Sequence, residues 1–342
     1  MDPLKLLQEL TAIPGPPGQE QLVAEYLRGK VEALGYTHFT DARGNLIVNF
    51  KPEIRPQVVV TAHMDEIALM VTRMHLNGTF EVAPLGGLLP WKLGETPVLV
   101  MGEKKLINGV LGFGSVHTND PASTARRAET GPVTWRDALV ITGHTMAELH
   151  EAGVRPGTRI VVHPSRRSLI DMDGLVGGHF LDDRADLVSW LLALEMLKTL
   201  PEDVVFVATT SEETGGHGSL FYLQSCCPEV CIALELGPCV DDAPVRLSSS
   251  PTLWVNDGYA APSVEAIRIV ERAAREAEVE IQYQALSRGG SDASCASSHG
   301  LCGMPITLGL PMANTHGFEV IHKDSMRNLA ILTHALVKNL VM

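Results

Sequence analysis

A histidine and a carboxylate, His63 and Asp65, directly follow the valine-rich segment 57–62. An apolar run without alternation predicts a strand that is buried on both faces, and such strands belong to α/β sheets. Open α/β sheets bind their ligands at the carboxyl ends of strands, so His63 is a candidate metal ligand. Asp65 lies two residues further on, where its carboxylate can orient the imidazole.

Two pairs of adjacent acids flank other predicted elements. Asp182 and Asp183 precede a long helical segment, and Glu212 and Glu213 follow a second valine-rich segment. The first pair is also typical of a helix N-terminus. Two acids at the buried end of an apolar strand are unfavourable unless a positive charge compensates them. A divalent cation would do so, with one carboxylate binding it and its neighbour acting as general base on a water.

Two further candidate ligands lie on later strands. Glu235 interrupts the apolar segment 231–236, and His316 follows the apolar run 306–310. The set of imidazoles and carboxylates suits a pair of ions about 3.5 to 4 Å apart, as in co-catalytic metal sites. Such ligands fit Zn or Co and also tolerate Mn.

The elements that position these residues alternate between buried strands and amphipathic helices. This order predicts an α/β fold, a three-layer sandwich with a largely parallel central sheet. Between residues 70 and 165 the segments are short, β-type and rich in Gly, Pro and Thr. We therefore predict a catalytic domain formed by residues 1–69 and 166–342, with an inserted β-rich domain at 70–165.

The composition excludes several classes of protein. The 342 residues include 27 Lys plus Arg and 40 Asp plus Glu, a net charge of −13. Without a clustered basic surface we expect no nucleic-acid partner. No secretory signal or long apolar span is found, so we expect a cytoplasmic protein with no membrane contact. The six cysteines form no C-x-x-C pair and are expected to be reduced thiols.

Six motifs occur in order along the chain: AHMDEIALMV (62–71), FLDDRAD (180–186), SEETGGHG (211–218), ALELG (233–237), GGSDAS (289–294) and PMANTHGFE (311–319). In order and approximate spacing they resemble the tetrahedral metallo-aminopeptidases, the family of glutamyl and deblocking aminopeptidases. The similarity spans nearly the whole chain. It implies a catalytic α/β domain interrupted by a β-rich dimerisation domain, two divalent metal ions per subunit, and dimers assembled into a dodecamer.

The resemblance also implies a role for each candidate residue. Asp182 would bridge the two ions, and Glu212 would be the general base that activates a water between them. Asp65 would orient the imidazole of the first histidine. The implied metal ligands are His63, Asp182, Glu213, Glu235 and His316.

The function implied by the resemblance is removal of N-terminal residues from short peptides. An alternative with the same site is a metal-dependent deacylase or amidohydrolase of small amides. A catalytically degenerate scaffold homologue is a third hypothesis, because Glu235 stands where the family usually has Asp, and Ala313-Asn314 where it usually has Arg-Tyr. Ser291 and Asp292 fit either a substrate pocket or a helix cap.

Overall fold

The computed structural model describes residues 1–341. The chain forms two compact units, which are described separately below. The first comprises Met1–Glu66, Leu169–Thr315 and the C-terminal segment from Glu319, and the second comprises Ile67–Ser168 and His316–Phe318.

Strands and helices alternate along much of the chain. The strands are, in chain order, β1 (His38–Thr40), β2 (Leu46–Val48), β3 (Val58–His63), β4 (Ala68–Met74), β5 (Phe80–Leu85), β6 (Thr96–Met101), β7 (Leu106–Gly112), β8 (Leu139–Ile141), β9 (Arg159–Val162), β10 (Ile170–Met172), β11 (Leu175–His179), β12 (Val204–Thr209), β13 (Val230–Pro238), β14 (Thr252–Asn256), β15 (Gln282–Ala285), β16 (Met304–Ala313) and β17 (Phe318–His322). The α-helices are α1 (Pro3–Thr11), α2 (Gln21–Ala33), α3 (Pro90–Leu93), α4 (Thr124–Ala128), α5 (Met146–Glu151), α6 (Leu181–Leu197), α7 (His217–Cys226), α8 (Val264–Glu276), α9 (Asp292–Ser298) and α10 (Ser325–Val341).

A mixed sheet forms the centre of the first unit. Its strand order is β1-β2-β12-β3-β13-β16-β17-β11-β10, with β14 and β15 branching from β16. The four central strands β12, β3, β13 and β16 are parallel. β2 pairs antiparallel with β12, and β14 and β17 pair antiparallel with β16. The carboxyl ends of the four central strands therefore meet at one edge of the sheet, where α/β sheets bind ligands.

Helices cover both faces of this sheet. Successive residues of a strand point to opposite faces, so Val58 and Val60 pack in one core and Val59 in the other. The first core also holds buried side chains of α1, α2, α6, α8 and α10, and the second those of α7 and α9. The predicted three-layer α/β sandwich is thereby confirmed.

The second unit contains a closed barrel of six strands. Its strand order is β4-β5-β8-β7-β6-β9, and its pairings are antiparallel. Alternate residues fill the interior, as in β7, where Ile107 and Leu111 are buried while Leu106 and Val110 are exposed. Outward apolar residues on β7 and β8 adjoin one another, since Val110 pairs with Ile141 and both are about half exposed.

Among the helices within residues 1–341, a membrane-spanning candidate is absent, because none combines sufficient length with an apolar composition.

Candidate active site

His63 is the last residue of β3 and is buried between carboxylates. Its Nδ1 lies 3.2 Å from the backbone carbonyl oxygen of Asp65 and 3.4 Å from Asp65 Oδ1, so residue 65 contacts this side of the ring through both its backbone and its carboxylate. Its Nε2 lies 3.2 Å from Asp182 Oδ1 and 3.7 Å from Glu235 Oε1. The two ring nitrogens thus face different groups, one that orients the imidazole and one that can share a cation with it.

The two aspartates at the start of α6 have different surroundings. Asp182 faces His63, and its backbone N–H donates to Glu319 Oε2 at 3.1 Å. Asp183 turns toward the sheet, where its Oδ2 accepts the backbone N–H of His63 at 2.7 Å. The pair therefore does more than cap a helix, because one carboxylate faces the site and the other holds the end of β3.

Glu235 lies inside β13 rather than after it, and its carboxylate is buried. One oxygen, Oε2, accepts the N–H of Leu236 at 2.9 Å. The other, Oε1, faces the imidazole of His63. Glu235 thus presents one oxygen to the cluster although the strand continues beyond it.

Glu212 and Glu213 lie in the turn between β12 and α7, where Asp65 holds their backbone. The N–H of Glu212 donates to Asp65 Oδ1 at 2.9 Å, and that of Glu213 to Asp65 Oδ2 at 3.1 Å. Both oxygens of one buried carboxylate are therefore used to fix two successive peptide groups. Asp65 thereby links this turn to His63.

The carboxylates of this region, some fully and some partly buried, resist ionisation. Burial is the largest cause of the raised pKa of Glu212, and the same is true of Glu235, with neighbouring carboxylates adding to both shifts. Burial also disfavours the charged form of His63, but the surrounding aspartates outweigh it and raise the pKa of the imidazole. Ionising all of these carboxylates would leave an excess of negative charge, which a bound cation would neutralise.

The donor set and its spacing fit a metal ion. The ligand atoms of His63, Asp182 and Asp183 lie within 4.8 Å of one another, as do those of His63, Glu212 and Glu235. Imidazole nitrogens and carboxylate oxygens are ligands that Zn, Co and Mn accept.

His316 lies in the turn between β16 and β17 and has a positive φ of 58°. Its Nδ1 lies 3.0 Å from the carbonyl oxygen of Gly87. A Cβ atom at residue 87 would lie only 2.9 Å from Nδ1 and Cε1 of the ring. Position 87 must therefore be glycine for the imidazole to keep this orientation.

The model of the M42 glutamyl aminopeptidase family matches residues 44–332, which is most of the chain. The chain belongs to this family. It is therefore an enzyme, a peptide hydrolase, as the sequence motifs predict.

Individual aminopeptidases are also similar to this chain in sequence and in structure. A lysyl aminopeptidase of Pyrococcus furiosus is 30% identical over 68% of this chain and 66% of its own length. A glutamyl aminopeptidase of Lactococcus lactis is 28% identical over 92% of this chain and 90% of its own length. Among solved structures, the Pyrococcus horikoshii TET1 peptidase, described as assembling into a tetrahedron or a large octahedral shell, has a TM-score of 0.85 and 26% identity. That alignment covers 98% of this chain and 99% of the other.

The sequence analysis missed two residues that hold the turn between β12 and α7, which contains Glu212 and Glu213. Asn45 Oδ1 accepts the N–H of Thr210 at 2.9 Å, and Glu20 Oε1 accepts that of Ser211 at 3.0 Å. Together with Asp65, they provide side-chain acceptors for four successive amides, residues 210–213. Neither is near the turn in sequence, so spacing carries no signal for this role.

The open alternatives at Ser291 and Asp292 are separated by the structure. Ser291 is the N-cap of α9, because its side chain accepts the N–H of Ser294. Asp292 is buried, and its Oδ2 accepts the hydroxyl of Thr209 at the end of β12 at 2.7 Å. Ser291 therefore caps the helix, whereas the adjacent Asp292 contacts the end of β12 beside the site.

A buried arginine, Arg184, also escaped the sequence analysis. Its guanidinium pairs with Glu66 at 3.0 Å and donates to the carbonyl oxygen of Met64. It thus joins the start of α6 to the segment that follows His63.

Proposed function

We propose that this chain is a metal-dependent aminopeptidase that removes N-terminal residues from short peptides. One observation carries the proposal: Glu212 lies in a rigid turn beside a buried cluster in which His63 and two carboxylates share a small volume. Membership of the M42 family and the aminopeptidase names of its relatives support it.

The proposed ligands form two sets that share Asp182. His63 and Glu235 would complete one set, because His63 Nε2 lies 3.2 Å from Asp182 Oδ1 and 3.7 Å from Glu235 Oε1. Glu213 and His316 would complete the other, as the sequence motifs imply. Two divalent ions there, Zn or Co with Mn also compatible, would supply Lewis-acid chemistry, acidifying a water and polarising the peptide carbonyl.

Glu212 is the proposed general base. Its carboxylate would take a proton from the attacking water as the C–O bond forms, and deliver a proton to the leaving amine as the C–N bond breaks. Burial raises the pKa of the Glu212 carboxyl, so it holds a proton more readily than a solvated glutamate, as a group that passes a proton on to the leaving amine requires. Asp65 would maintain the direction of the carboxylate by fixing the backbone on both sides of it.

Mass spectrometry of a mixed short-peptide library tests the proposal. Each peptide is supplied with a free and with an N-acetylated terminus, and the protein is loaded separately with Zn, Co or Mn. We expect stepwise loss of N-terminal residues from the free series, which also reveals the preferred first residue. Cleavage confined to the acetylated series would instead establish the deacylase.

The variant Glu212→Gln is the control and a first prediction. It keeps the size of the side chain and the backbone bonds but removes the base, so we expect turnover to fall by about 10³-fold. Metal content, measured by inductively coupled plasma mass spectrometry, should equal that of wild type. Full activity in this variant would exclude Glu212 as the base.

We also propose that the inserted unit is a dimerisation domain and that dimers assemble into a dodecamer. The exposed apolar side chains of β7 and β8 support a contact there, and related solved structures are described as dodecameric or tetrahedral. Light scattering after size exclusion tests this assembly. Ile141→Glu should shift the mass downward, and an unchanged mass would place the dimer contact elsewhere.

A further inference from the structure

Ser211, the residue before Glu212, has a backbone conformation that serine rarely adopts. Its φ is +54°, in the left-handed region, although it carries a Cβ atom. This conformation is unfavourable for a non-glycine residue and persists where neighbouring groups enforce it. The direction in which the chain enters Glu212 depends on this one residue.

Glu20 supplies the enforcing contacts. Its Oε1 accepts the backbone N–H of Ser211 at 3.0 Å and lies 3.2 Å from the Ser211 hydroxyl, which donates to it. The same oxygen accepts the N–H of Gly18 at 2.8 Å, which fixes the carboxylate from its own side. Glu20 is the N-terminal flanking residue of α2 and is 3% exposed. The interaction is therefore shielded from water. Hydrogen bonds to a carboxylate are strong in such a buried environment.

The contacts of the neighbouring residues leave Glu20 as the group that fixes the backbone conformation of Ser211. Thr210 is held by Asn45, and Glu212 by Asp65, so the flanking amides have their own acceptors. Without Glu20, the left-handed residue would lie between two fixed peptide groups with no acceptor for its own N–H and hydroxyl. It would then relax toward a negative φ and rotate the following residue.

We propose that Glu20 is a positioning residue for hydrolysis: it holds Ser211 in the left-handed conformation and so aims the carboxylate of Glu212. The inference rests on the proposed role of Glu212 as general base. Glu20 acts through the backbone, since its contacts in this region are with Ser211 and Gly18 and not with the candidate ligands.

Three substitutions at residue 20 separate positioning from general stabilisation. The bonds from Ser211 and Gly18 end on one oxygen, so the carbonyl of Glu20→Gln can accept them, whereas Glu20→Ala lacks an acceptor and Glu20→Asp is one methylene too short. Using the library peptide that wild type cleaves fastest, we expect Glu20→Ala to lower kcat by about 10²-fold, with KM changed by less than about twofold. Glu20→Asp should resemble Glu20→Ala, and Glu20→Gln should remain within about fivefold of wild type.

Glu25→Ala is the matched control, because Glu25 is an exposed acid on the same helix. It should leave kcat unchanged. Metal content and Tm are measured for every variant, and assays are run well below the lowest Tm. A wild-type kcat in Glu20→Ala, equal impairment of Glu20→Gln, or a loss that follows metal content would overturn the proposal.

Hydrogen exchange of peptides covering residues 204–216 tests the geometric step without turnover. Protection of this segment should fall in Glu20→Ala and be retained in Glu20→Gln. Unchanged protection in Glu20→Ala would overturn the inference even in a protein that cleaves no peptide. Failure of wild type to trim the library would instead count against the proposed function, so the two failures are distinguishable.

Discussion

The turn formed by residues 210–213 and the cluster of His63 with buried carboxylates beside it are stabilised in opposite ways. In the turn, the amides of residues 210–213 each donate to a side-chain oxygen. In the cluster, buried carboxylates face one imidazole, and burial raises the pKa of Glu235, Asp183 and Asp186. The chain itself thus fixes the backbone of the turn, whereas the cluster leaves a charge imbalance that favours binding a cation.

This difference indicates that the two regions have separate roles, one preorganised by the chain and the other suited to bind a cation. Hydrogen bonds to buried acceptors preorganise a segment before any ligand arrives. Clustered acids are unfavourable until a cation binds, so part of the binding free energy relieves their repulsion. Asp65 belongs to both regions, because it contacts His63 and also holds the turn.

Removing Asp65 should therefore have the largest effect. Asp65→Ala deletes the acceptor of two amides and the negative charge beside His63 Nδ1, so we expect kcat/KM to fall by about 10³-fold. Metal affinity should fall by about 10- to 100-fold, as for other groups that orient a ligating histidine. Steady-state kinetics and metal titration with a chromophoric chelator measure the two effects. The exposed Asp242→Ala serves as control, and a loss of less than tenfold in both quantities would mean that the regions do not depend on Asp65.

A second test uses the buried ion pair of Arg184 and Glu66, both of which have fully buried side chains. Here the chain supplies its own positive charge, in contrast to the cluster of His63 with buried carboxylates. Glu66→Gln removes the negative charge that pairs with the guanidinium, and we expect the free energy of unfolding to fall by about 3 kcal/mol.

The exposed pair of Arg246 and Glu280 provides the matched control. Its distance of 2.8 Å is similar, but its side chains are 72% and 68% exposed. Glu280→Gln should change the free energy of unfolding by less than about 1 kcal/mol. Denaturant unfolding at equal metal content measures both variants, and equal effects would show that burial is not what makes the Arg184 pair important.

The general architecture was predictable because its signals are local. Valine-rich runs without alternation indicated β3 and β12, and helical spacing indicated α6, α8 and α10. His63, Asp65 and the two acid pairs were identified because they immediately adjoin such runs. The three-layer α/β sandwich followed from the alternation of these elements.

The contacts that determine the geometry of the site were not predictable from spacing. Glu20 and Asn45 lie more than 160 residues from the turn that they hold. Asp292 appeared ambiguous, because an acid at a helix start is common, and only the position of β12 shows that it meets Thr209. Glu235 lies within β13, as its place inside the apolar segment 231–236 predicts, but the continuation of that strand to Pro238 was not predicted.

The change in stability of the metal-free protein with pH should be the smallest of the expected effects. Burial raises the folded-state pKa of Asp183, Asp186 and Glu235 above their unfolded values. The folded state then keeps protons that the unfolded state releases, so stability is lost as pH rises above about 4. His63 acts in the same direction, because its pKa is also raised and its stabilising charge is lost as pH rises through that value.

Metal loading should reverse the sign of this dependence. Chelator-treated protein should lose at least ~3 °C of Tm between pH 5 and pH 8, the shift that about 1 kcal/mol produces in a large domain. Metal binding requires deprotonated ligands, so the increase in Tm on adding Zn or Co should instead grow over the same range. Differential scanning fluorimetry with and without metal measures both slopes. The Glu235→Gln variant should flatten the metal-free slope, because it removes one of the buried carboxylates whose pKa is raised. Parallel slopes with and without metal would mean that these buried acids are not the site at which the cation and protons compete.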